Sequence, residues 1–295
     1  MRVVTQTVAM IAVLTGVLMA QVPTDGLVAF YPFTGNWNDA SGNGNHLTTI
    51  TQYAPTACAD RNGVANQADT LNGANQGLHA PKDSFPMGAS ARTLSAWVQL
   101  PTTGTPKTIM FWGTTTAGNG CSFFARSIPG GGGAQLIFTN YSDSLIYTTI
   151  ALDRLHSWTH LAVTLNASGN AVMYMGDSVI ATKTMAGWNT SGGDFFCIGA
   201  RFGTQYAISQ PWGGKLDAVA VYDRALSASE ISLLADNTTD QLITTRAINP
   251  ATVSYSLAKP KVSDAIYSIN GRALRNVSTA GVSVGAAVAR SVRLR

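Results

Sequence analysis

Residues 26–33 read Gly-Leu-Val-Ala-Phe-Tyr-Pro-Phe, and residues 35–46 read Gly-Asn-Trp-Asn-Asp-Ala-Ser-Gly-Asn-Gly-Asn-His. The first stretch is a short run of apolar and aromatic residues, which favours a β-strand. The second consists mainly of Asn, Asp, Ser and Gly, which are turn-forming residues. The sequence therefore predicts a strand that ends in a polar loop at the start of the folded region.

The same pattern continues along the chain, with short β-like runs separated by Gly, Asn, Ser and Pro. Many short strands at a spacing of roughly 8 to 12 residues are typical of a β-sandwich or barrel, so an all-β fold is predicted. The clearest runs are Leu27–Phe33, Thr93–Leu100, Thr108–Trp112, Gln135–Phe138, Leu145–Ile150, Thr159–Leu165, Ala171–Met175, Val179–Thr182 and Leu216–Tyr222.

One short helix is predicted near the end of this region. Residues 227–230 read Ser-Ala-Ser-Glu and precede Ile231, Leu233 and Leu234. Ser and Glu three positions apart form a capping box, in which each side chain bonds the backbone N–H of the other residue. Glu230 is the single Glu of the chain, and this structural role removes it from the candidate catalysts.

The two ends of the chain differ in composition from the region between them. An Arg at position 2 and an apolar stretch from Val8 to Ala20 are typical of a secretory signal peptide. A membrane anchor is the alternative, but a helix that spans a membrane needs roughly 20 apolar residues, which is longer than this stretch. The mature chain is therefore expected to be secreted or at the cell surface, without a membrane span. The predicted division is a signal peptide at 1–20, a folded domain at 21–236, a linker at 237–249 and a small basic tail at 250–295.

Charge is unevenly distributed along the 295 residues. Only 12% of the residues are charged and the net charge is +4, which excludes a charged disordered segment. The last fifty residues hold eight Arg or Lys and one Asp, so the first 245 carry a net charge of about −3. The basic pI therefore belongs to the tail, and no nucleic-acid partner is predicted.

Four motifs in order resemble the LamG-like jelly-roll domains of the concanavalin A-like lectin/glucanase superfamily, over roughly residues 25–236. The resemblance implies a two-sheet antiparallel jelly-roll sandwich with one short helix, whose concave face commonly binds glycans or protein partners. It also implies a calcium ion near the first motif and a mostly non-catalytic role. The motifs are residues 26–46, Thr93–Val98 (Thr-Leu-Ser-Ala-Trp-Val), Trp158–Val163 (Trp-Thr-His-Leu-Ala-Val) and Gly214–Ser227, which begins Gly-Lys-Leu-Asp-Ala-Val.

The polar loop after the first predicted strand is the candidate calcium site. Calcium takes six to eight oxygen ligands, and the alternative is that the Asn, Asp and Gly residues only form turns. The candidate ligands are the carboxylates of Asp39 and Asp217, the amide oxygen of Asn43 and the backbone carbonyl of His46. Ala218 stands where the family often has a second acidic residue. A structural Ca²⁺ ion is thus expected, at a site that lacks one family carboxylate.

Five aromatic residues in or beside Gly-, Ser- and Asn-rich segments are candidates for ligand binding. Pyranose rings present apolar faces that stack on aromatic side chains. For each residue the alternative is that the ring seals a loop onto the sandwich. The predicted partner is a glycan or a cell-surface protein, and the candidates are Trp112, Tyr141, Trp188, Tyr206 and Trp212.

A polysaccharide-cleaving enzyme is the main alternative, because the same superfamily includes glucanases. Glycosidases use two carboxyl groups, about 5 Å apart in retaining enzymes and about 6.5 to 9.5 Å apart in inverting ones. The glucanase pattern Glu-x-Asp-x-Glu is absent from the sequence, and no two acidic residues stand two apart on a predicted strand. The sequence therefore predicts a binding module that is not an enzyme, with a glycoside hydrolase or a structural adhesin as alternatives.

Export would place Cys58, Cys121 and Cys197 in an oxidising compartment, where disulfides form. One disulfide with one free thiol is one interpretation. The other is that Cys121 and Cys197, which lie in apolar strand-like runs, are buried small hydrophobic residues.

The basic tail loosely resembles the C-terminal sorting domains of bacterial type IX secretion. The features that carry the resemblance are the Asn270-Gly271-Arg272 turn and the basic end of the chain. The resemblance implies sorting or attachment to the cell surface, and a solvated appendage is the alternative.

Overall fold

The computed structural model describes residues 22–100, 107–128, 133–202 and 207–236. The predicted signal peptide, linker and basic tail lie outside the described residues. The first nine strands are β1 (Leu27–Tyr31), β2 (Thr48–Thr49), β3 (Thr56–Cys58), β4 (Ala68–Asn72), β5 (Leu78–Pro81), β6 (Arg92–Gln99), β7 (Lys107–Gly113), β8 (Gly120–Ser127) and β9 (Ala134–Thr139). The later strands are β10 (Ser144–Ile150), β11 (Thr159–Leu165), β12 (Asn170–Met175), β13 (Ser178–Thr184), β14 (Phe195–Ile198), β15 (Arg201–Phe202), β16 (Ile208–Ser209) and β17 (Gly213–Tyr222).

The strands form two large antiparallel sheets. One has eight strands in the order β13-β12-β11-β6-β17-β4-β3, with β1 paired to β17. The other has seven strands in the order β10-β9-β8-β7-β14-β5-β2, and β15 pairs with β16 in a separate hairpin. This arrangement confirms the predicted all-β, concanavalin A-like jelly-roll sandwich.

The main core lies between the two sheets because side chains alternate along each strand. In β6, Leu94, Ala96 and Val98 point into this core and have no exposed surface. Ser95 and Trp97 lie on the opposite face of the same strand. The outer face of a sheet therefore carries its own set of side chains, and these decide what the surface can bind.

Two short α-helices accompany the described strands, α1 (Leu152–His156) and α2 (Ala228–Ala235), and a single 3-10 turn spans Lys82–Ser84. The predicted capping box is confirmed at the start of α2, where Ser227 Oγ accepts a hydrogen bond from Glu230 N and Ser227 N donates to Glu230 Oε2. Ile231 and Leu234 then pack with Tyr222 on the outer face of the eight-stranded sheet. In the part of the chain that the structure describes, neither helix has the length and apolarity needed to cross a membrane.

The three cysteines are free thiols, so the predicted disulfide is not formed. Cys121 is in register with Trp112, and Cys197 is in register with Phe111, the preceding residue of β7. Successive residues of a strand point to opposite faces, so the two thiols lie on opposite sides of the sheet and cannot meet. Burial raises the pKa of both to about 12, and they act as small hydrophobic residues.

Candidate functional site

Asp39 organises the polar loop that follows β1. Its Oδ1 accepts hydrogen bonds from the backbone N–H groups of Phe30 (3.0 Å) and Ser41 (2.9 Å), and its Oδ2 accepts from Asn45 N (2.9 Å). The backbone N–H of Asp39 donates to His46 Nδ1 at 3.0 Å. Asp39 is buried, so these backbone dipoles stabilise its charge in place of water.

Asn43 ties the same loop to β1. Its Nδ2 donates to the carbonyl oxygens of Leu27 (2.8 Å) and Val28 (3.0 Å). Asn45 Nδ2 also donates to Val28 O, at 2.9 Å. The carbonyl oxygens at the start of β1 are therefore occupied by amide groups of the loop.

Asp217 lies on β17 and forms a buried ion pair with Arg61, which lies in the loop after β3. Arg61 Nη1 is 2.6 Å from Asp217 Oδ2, and the two side chains are 1% and 2% exposed. The Arg61 guanidinium also lies over the ring of Trp97, 4.8 Å from its centroid. Trp97 is the cross-strand neighbour of Asp217. An arginine therefore supplies the positive charge beside Asp217.

The two carboxylates among the predicted calcium ligands already have other partners. Calcium needs several oxygen atoms that converge on one point, but Asp39 faces backbone N–H groups and Asp217 faces the Arg61 guanidinium. Across the described residues, no three His, Cys, Asp or Glu side chains form a group that could hold a metal. Hydrogen bonds and an ion pair therefore hold these residues in place.

Two of the predicted ligand-binding residues lie in the core and not on the surface. Trp112 and Trp212 have no exposed area, and their indole N–H groups donate to Pro86 O (2.9 Å) and Lys215 O (3.3 Å). Trp112 points inward from β7, although a Gly follows it. Neither ring can stack on a sugar, which corrects the expectation from the sequence.

Trp188 closes one end of the main core. It is 8% exposed and stacks on Phe138 at a centroid distance of 4.9 Å. The buried guanidinium of Arg92 lies 5.1 Å from the Trp188 ring and 5.6 Å from the Trp112 ring. Trp188 is therefore placed to seal the sandwich. Tyr206, the fourth candidate, lies outside the described residues.

Tyr141 remains at the surface, beside an aromatic cluster on the outer face of the seven-stranded sheet. We call this surface the aromatic face and define it by His79, Phe111, Tyr141, Phe195 and Phe202. The His79 and Phe195 rings meet edge to face at 4.3 Å, and Phe202 lies 5.7 Å from Phe195. The ring of Tyr141 stands edge-on to Phe111 at 6.3 Å. His79, Tyr141 and Phe195 are each partly exposed.

A fixed turn presents Tyr141 to solvent. Asn140 Oδ1 accepts hydrogen bonds from the backbone N–H groups of Ser142 (3.0 Å) and Asp143 (2.7 Å). Tyr141 has a φ of 69°, a left-handed conformation that this Asn-centred turn supports. The ring lies against the bare backbone of Gly120, where an added Cβ would be 2.5 Å from Tyr141 Cδ2. Tyr141 is thus held in one orientation without a ligand.

Polar groups surround the Tyr141 ring. Arg201 Nη1 donates to Tyr141 Oη at 3.3 Å, and Arg201 Nε donates to Ser209 Oγ at 3.0 Å. On the other side of the aromatic face, His79 Nε2 lies 3.1 Å from Thr48 Oγ1. Burial lowers the pKa of His79, so its ring is neutral at pH 7. Aromatic rings with a few fixed polar groups are typical of carbohydrate and other small-ligand sites.

Sequence reasoning does not identify His79, Phe195 or Arg201. They lie in separate segments, and only the register of β5 with β14 and the fold of the β15–β16 hairpin bring them together. The signal that could have found two of them is alternation. In β14, Phe196 and Ile198 belong to the main core, which leaves Phe195 on the opposite face. In β5, Leu78 and Ala80 belong to the main core, which leaves His79 on the opposite face.

Asp69 is the described carboxyl group whose pKa is clearly raised. Burial raises its pKa to about 6, while a hydrogen bond from Trp37 Nε1 to its Oδ2 acts in the opposite direction. A raised pKa is a property of a general acid, but Asp69 is 4% exposed. Asp217, on the neighbouring strand, is buried in its ion pair with Arg61. Neither carboxyl group is open to a substrate.

A laminin-G-type family model, described as the concanavalin A-like lectin/glucanases superfamily, matches residues 72–232. No curated protein matches the chain. Among solved structures, the chain is similar to domain 4 of AbnA, a GH43 extracellular arabinanase from Geobacillus stearothermophilus, in complex with arabinotriose. The identity is 23% and the TM-score is 0.55, over 71% of this chain and 98% of that domain.

Two toxin domains are also similar in structure. The binding domain of Paraclostridial Mosquitocidal Protein 1 has 18% identity and a TM-score of 0.56, over 72% of this chain and 52% of that one. The ligand binding domain of botulinum neurotoxin serotype D, in complex with N-acetylneuraminic acid, has 12% identity and a TM-score of 0.52, over 72% and 51%. The chain thus spans about half the length of these toxin chains. At such identities the likeness shows a shared fold.

Proposed function

Because the chain belongs to the concanavalin A-like lectin/glucanase superfamily, we propose that its folded domain is a secreted, non-catalytic module that binds carbohydrate. The superfamily and the solved neighbours, which are binding domains, support a binding module. The observation that carries the carbohydrate assignment is the partly exposed ring of Tyr141, which a fixed turn holds beside Arg201 and Ser209.

The aromatic face offers the two kinds of contact that a sugar needs. The Tyr141 and Phe195 rings can pack against the apolar C–H face of a pyranose or furanose ring. The Arg201 guanidinium, the Ser209 hydroxyl and the Tyr141 hydroxyl can bond sugar hydroxyl groups. Because the turn already fixes Tyr141, binding loses little side-chain entropy at that residue.

The non-catalytic assignment rests on the burial of the groups that could act in catalysis. The carboxyl groups of Asp69 and Asp217 are buried, as described above, and a substrate cannot reach them. Ser95 Oγ and His160 Nε2 are 2.8 Å apart, like a nucleophile and its base, but each residue is 1% exposed. Burial lowers the pKa of His160 to about 4. This pair forms a hydrogen bond inside the domain, and no substrate can reach it.

The proposal is tested by retention of the purified full chain on plant, bacterial and host polysaccharides, including arabinan, with reducing ends assayed in parallel. We expect retention on at least one polymer and no release of sugar ends. Release of ends by the purified chain would overturn the non-catalytic assignment. Failure to be retained on every polymer would contradict the carbohydrate assignment and favour a cell-surface protein as partner.

Secretion and surface attachment belong to the same proposal and rest on sequence patterns at the two ends of the chain. If residues 1–20 are a signal peptide, the mature protein should begin at Gln21. If residues 250–295 anchor the chain, their deletion should move the protein from the cell surface to the medium. N-terminal sequencing and cell fractionation in a bacterial host with type IX secretion measure these two outcomes.

A further inference from the structure

Arg201 adds a positive charge to the edge of the aromatic face. It begins β15, and it is partly buried. Its Nε donates to Ser209 Oγ at 3.0 Å, and its Nη1 donates to Tyr141 Oη at 3.3 Å. Both partners are hydroxyl groups, so these bonds orient the guanidinium without neutralising its charge.

Within the described part of the chain, no carboxylate lies within ion-pair distance of Arg201. Asp143, in the turn that holds Tyr141, pairs with Lys183. Residues 203–206, which join β15 to β16, lie outside the described residues, and their sequence, Gly-Thr-Gln-Tyr, carries no charge. The two hydrogen bonds of Arg201 use two of its five N–H groups. The other three, together with the positive charge, can bind a ligand.

The guanidinium lies next to an aromatic ring that can stack on a sugar. Nη1 of Arg201 is 3.3 Å from the hydroxyl group at the rim of the Tyr141 ring. Tyr141 is partly exposed, and its turn fixes its orientation. A sugar ring stacked on Tyr141 would therefore bring its exocyclic substituents close to Arg201. The charge of such a substituent then contributes to the affinity.

From this arrangement we propose that the aromatic face prefers acidic sugars, and that Arg201 binds the carboxylate of one uronic acid residue. The Tyr141 ring packs against the C–H face of the same residue, and Ser209 Oγ accepts from a neighbouring hydroxyl group. The inference rests on the proposed function, because it uses the same surface, and it names the class of sugar that this surface takes.

A carboxylate suits Arg201 better than a neutral hydroxyl group does. The planar guanidinium matches the geometry of a carboxylate and can bond both of its oxygen atoms. Such charge-assisted hydrogen bonds are roughly twice as strong as neutral ones. A sugar hydroxyl group would accept from one N–H and leave the charge of Arg201 without a counterion. An acidic sugar should thus bind more tightly than a neutral sugar of the same shape.

Asp194 provides a second test, of opposite sign. It is exposed and directly precedes Phe195, whose ring belongs to the aromatic face. Its negative charge opposes that of Arg201, but salt screens it more strongly, because Arg201 is partly buried. Replacing Asp194 by Asn should therefore strengthen the binding of an acidic sugar, by a smaller factor than the loss caused by replacing Arg201.

The experiment is a titration of the full chain with glucuronate and galacturonate, and with the neutral sugars glucose and galactose, followed by ligand-observed NMR. We expect the uronates to bind about tenfold more tightly than the neutral sugars, as for one charge-assisted contact. Because the contact is electrostatic and partly exposed, added NaCl should reduce this preference. Glucose 6-sulfate, whose anionic group is not a planar carboxylate, is titrated alongside.

Four variants test whether the preference belongs to Arg201. Arg201→Gln should abolish it, Arg201→Lys should keep part of it, and Asp194→Asn should increase it. Arg126→Gln is the matched control and should leave the preference unchanged. Arg126 is an exposed arginine of the same sheet, at the opposite end of β8 from Gly120, against which the Tyr141 ring lies.

Equal binding of uronates and neutral sugars would overturn the inference, as would an unchanged preference in Arg201→Gln once a thermal melt shows that this variant is folded. Tighter binding of glucose 6-sulfate than of either uronate would overturn the carboxylate assignment. Tyr141→Ala separates the inference from the proposed function. If both classes of sugar bind equally and this substitution weakens both, the carbohydrate site stands and only its acidic preference is wrong. Binding of none of the sugars would overturn both.

Discussion

Arg61 and Asp217 form a buried ion pair that links two segments 156 positions apart in the chain. Arg61 lies in the loop between β3 and β4, and Asp217 lies on β17 in the middle of the eight-stranded sheet. The Arg61 guanidinium also packs over the face of the Trp97 ring. The pair therefore attaches the loop to the sheet and neutralises a carboxylate that has almost no contact with water.

Breaking this pair should strongly destabilise the domain. Arg61→Met or Asp217→Leu leaves one buried charge without its partner, which typically costs about 3 to 5 kcal/mol. The double variant should lose less stability than the sum of the two, because neither member of the pair remains to be left without the other. Urea denaturation of the full chain measures these changes. The control is Lys82→Gln, whose partner Asp83 is 3.9 Å away and exposed, and which should change the stability by less than about 0.5 kcal/mol.

Chelation of calcium should leave the melting temperature unchanged. Asp39 already accepts three backbone N–H bonds, and Asp217 is neutralised by Arg61. Neither carboxylate therefore needs a metal for its charge to be stabilised. Thermal melts in EDTA and in millimolar CaCl₂ test this directly. A melting temperature several degrees higher with calcium would contradict it and would support the calcium site expected from the family.

Asp69 and His160 should give the stability opposite pH dependences that offset each other. In the folded protein Asp69 has a pKa of about 6, against 3.8 ordinarily. Its contribution to the free energy of unfolding is therefore complete below pH 3.8 and is lost as the pH rises through 6. His160 has a folded pKa of about 4, against 6.5 ordinarily, so its contribution is complete above pH 6.5 and is lost as the pH falls through 4. Each effect is about 3 kcal/mol, which predicts little net change between pH 4 and 6.5.

Single substitutions should separate the pH dependence that each group gives to the free energy of unfolding. In Asp69→Asn, the free energy of unfolding should increase with pH between 4 and 6.5, because the opposing contribution of Asp69 is removed while that of His160 remains. In His160→Asn, which keeps a donor for Gly176 O, stability should decrease over the same range. Unfolding free energies from urea at several pH values give the slopes. Parallel profiles in both variants and the unsubstituted chain would contradict the prediction.

The sequence was sufficient for features that depend on local pattern. The capping box at Ser227 and Glu230 was predicted because its two partners are three residues apart, and each contact lies within one turn of helix. The all-β fold followed from runs such as Thr93–Leu100, where the alternation also separates core residues from outer ones. The helix α1 was not predicted, because five residues do not show a helical period.

Features that depend on the pairing of distant strands could not be predicted from the sequence. The run Ile109–Trp112 is apolar throughout, so it does not show which residue faces inward. Trp112, which ends this predicted strand beside Gly113, is therefore a candidate for ligand binding from the sequence, although it points into the core. For the same reason the sequence does not predict the ion pair of Asp217, since nothing near Asp217 in the sequence marks Arg61 as its partner.

Removing the ring of Tyr141 should selectively weaken polysaccharide binding. Tyr141→Ala deletes the partly exposed aromatic surface, and a loss of about tenfold in affinity is expected for one stacked ring. Tyr141→Phe keeps the ring and loses only the hydroxyl that accepts from Arg201 at 3.3 Å, so its loss should be smaller. Tyr53→Ala is the matched control, because Tyr53 is 48% exposed but lies in the loop between β2 and β3. Retention on the polymer that binds the unsubstituted chain is the measurement. Equal losses in Tyr53→Ala and Tyr141→Ala, or no loss in Tyr141→Ala, would remove the aromatic face as the binding surface.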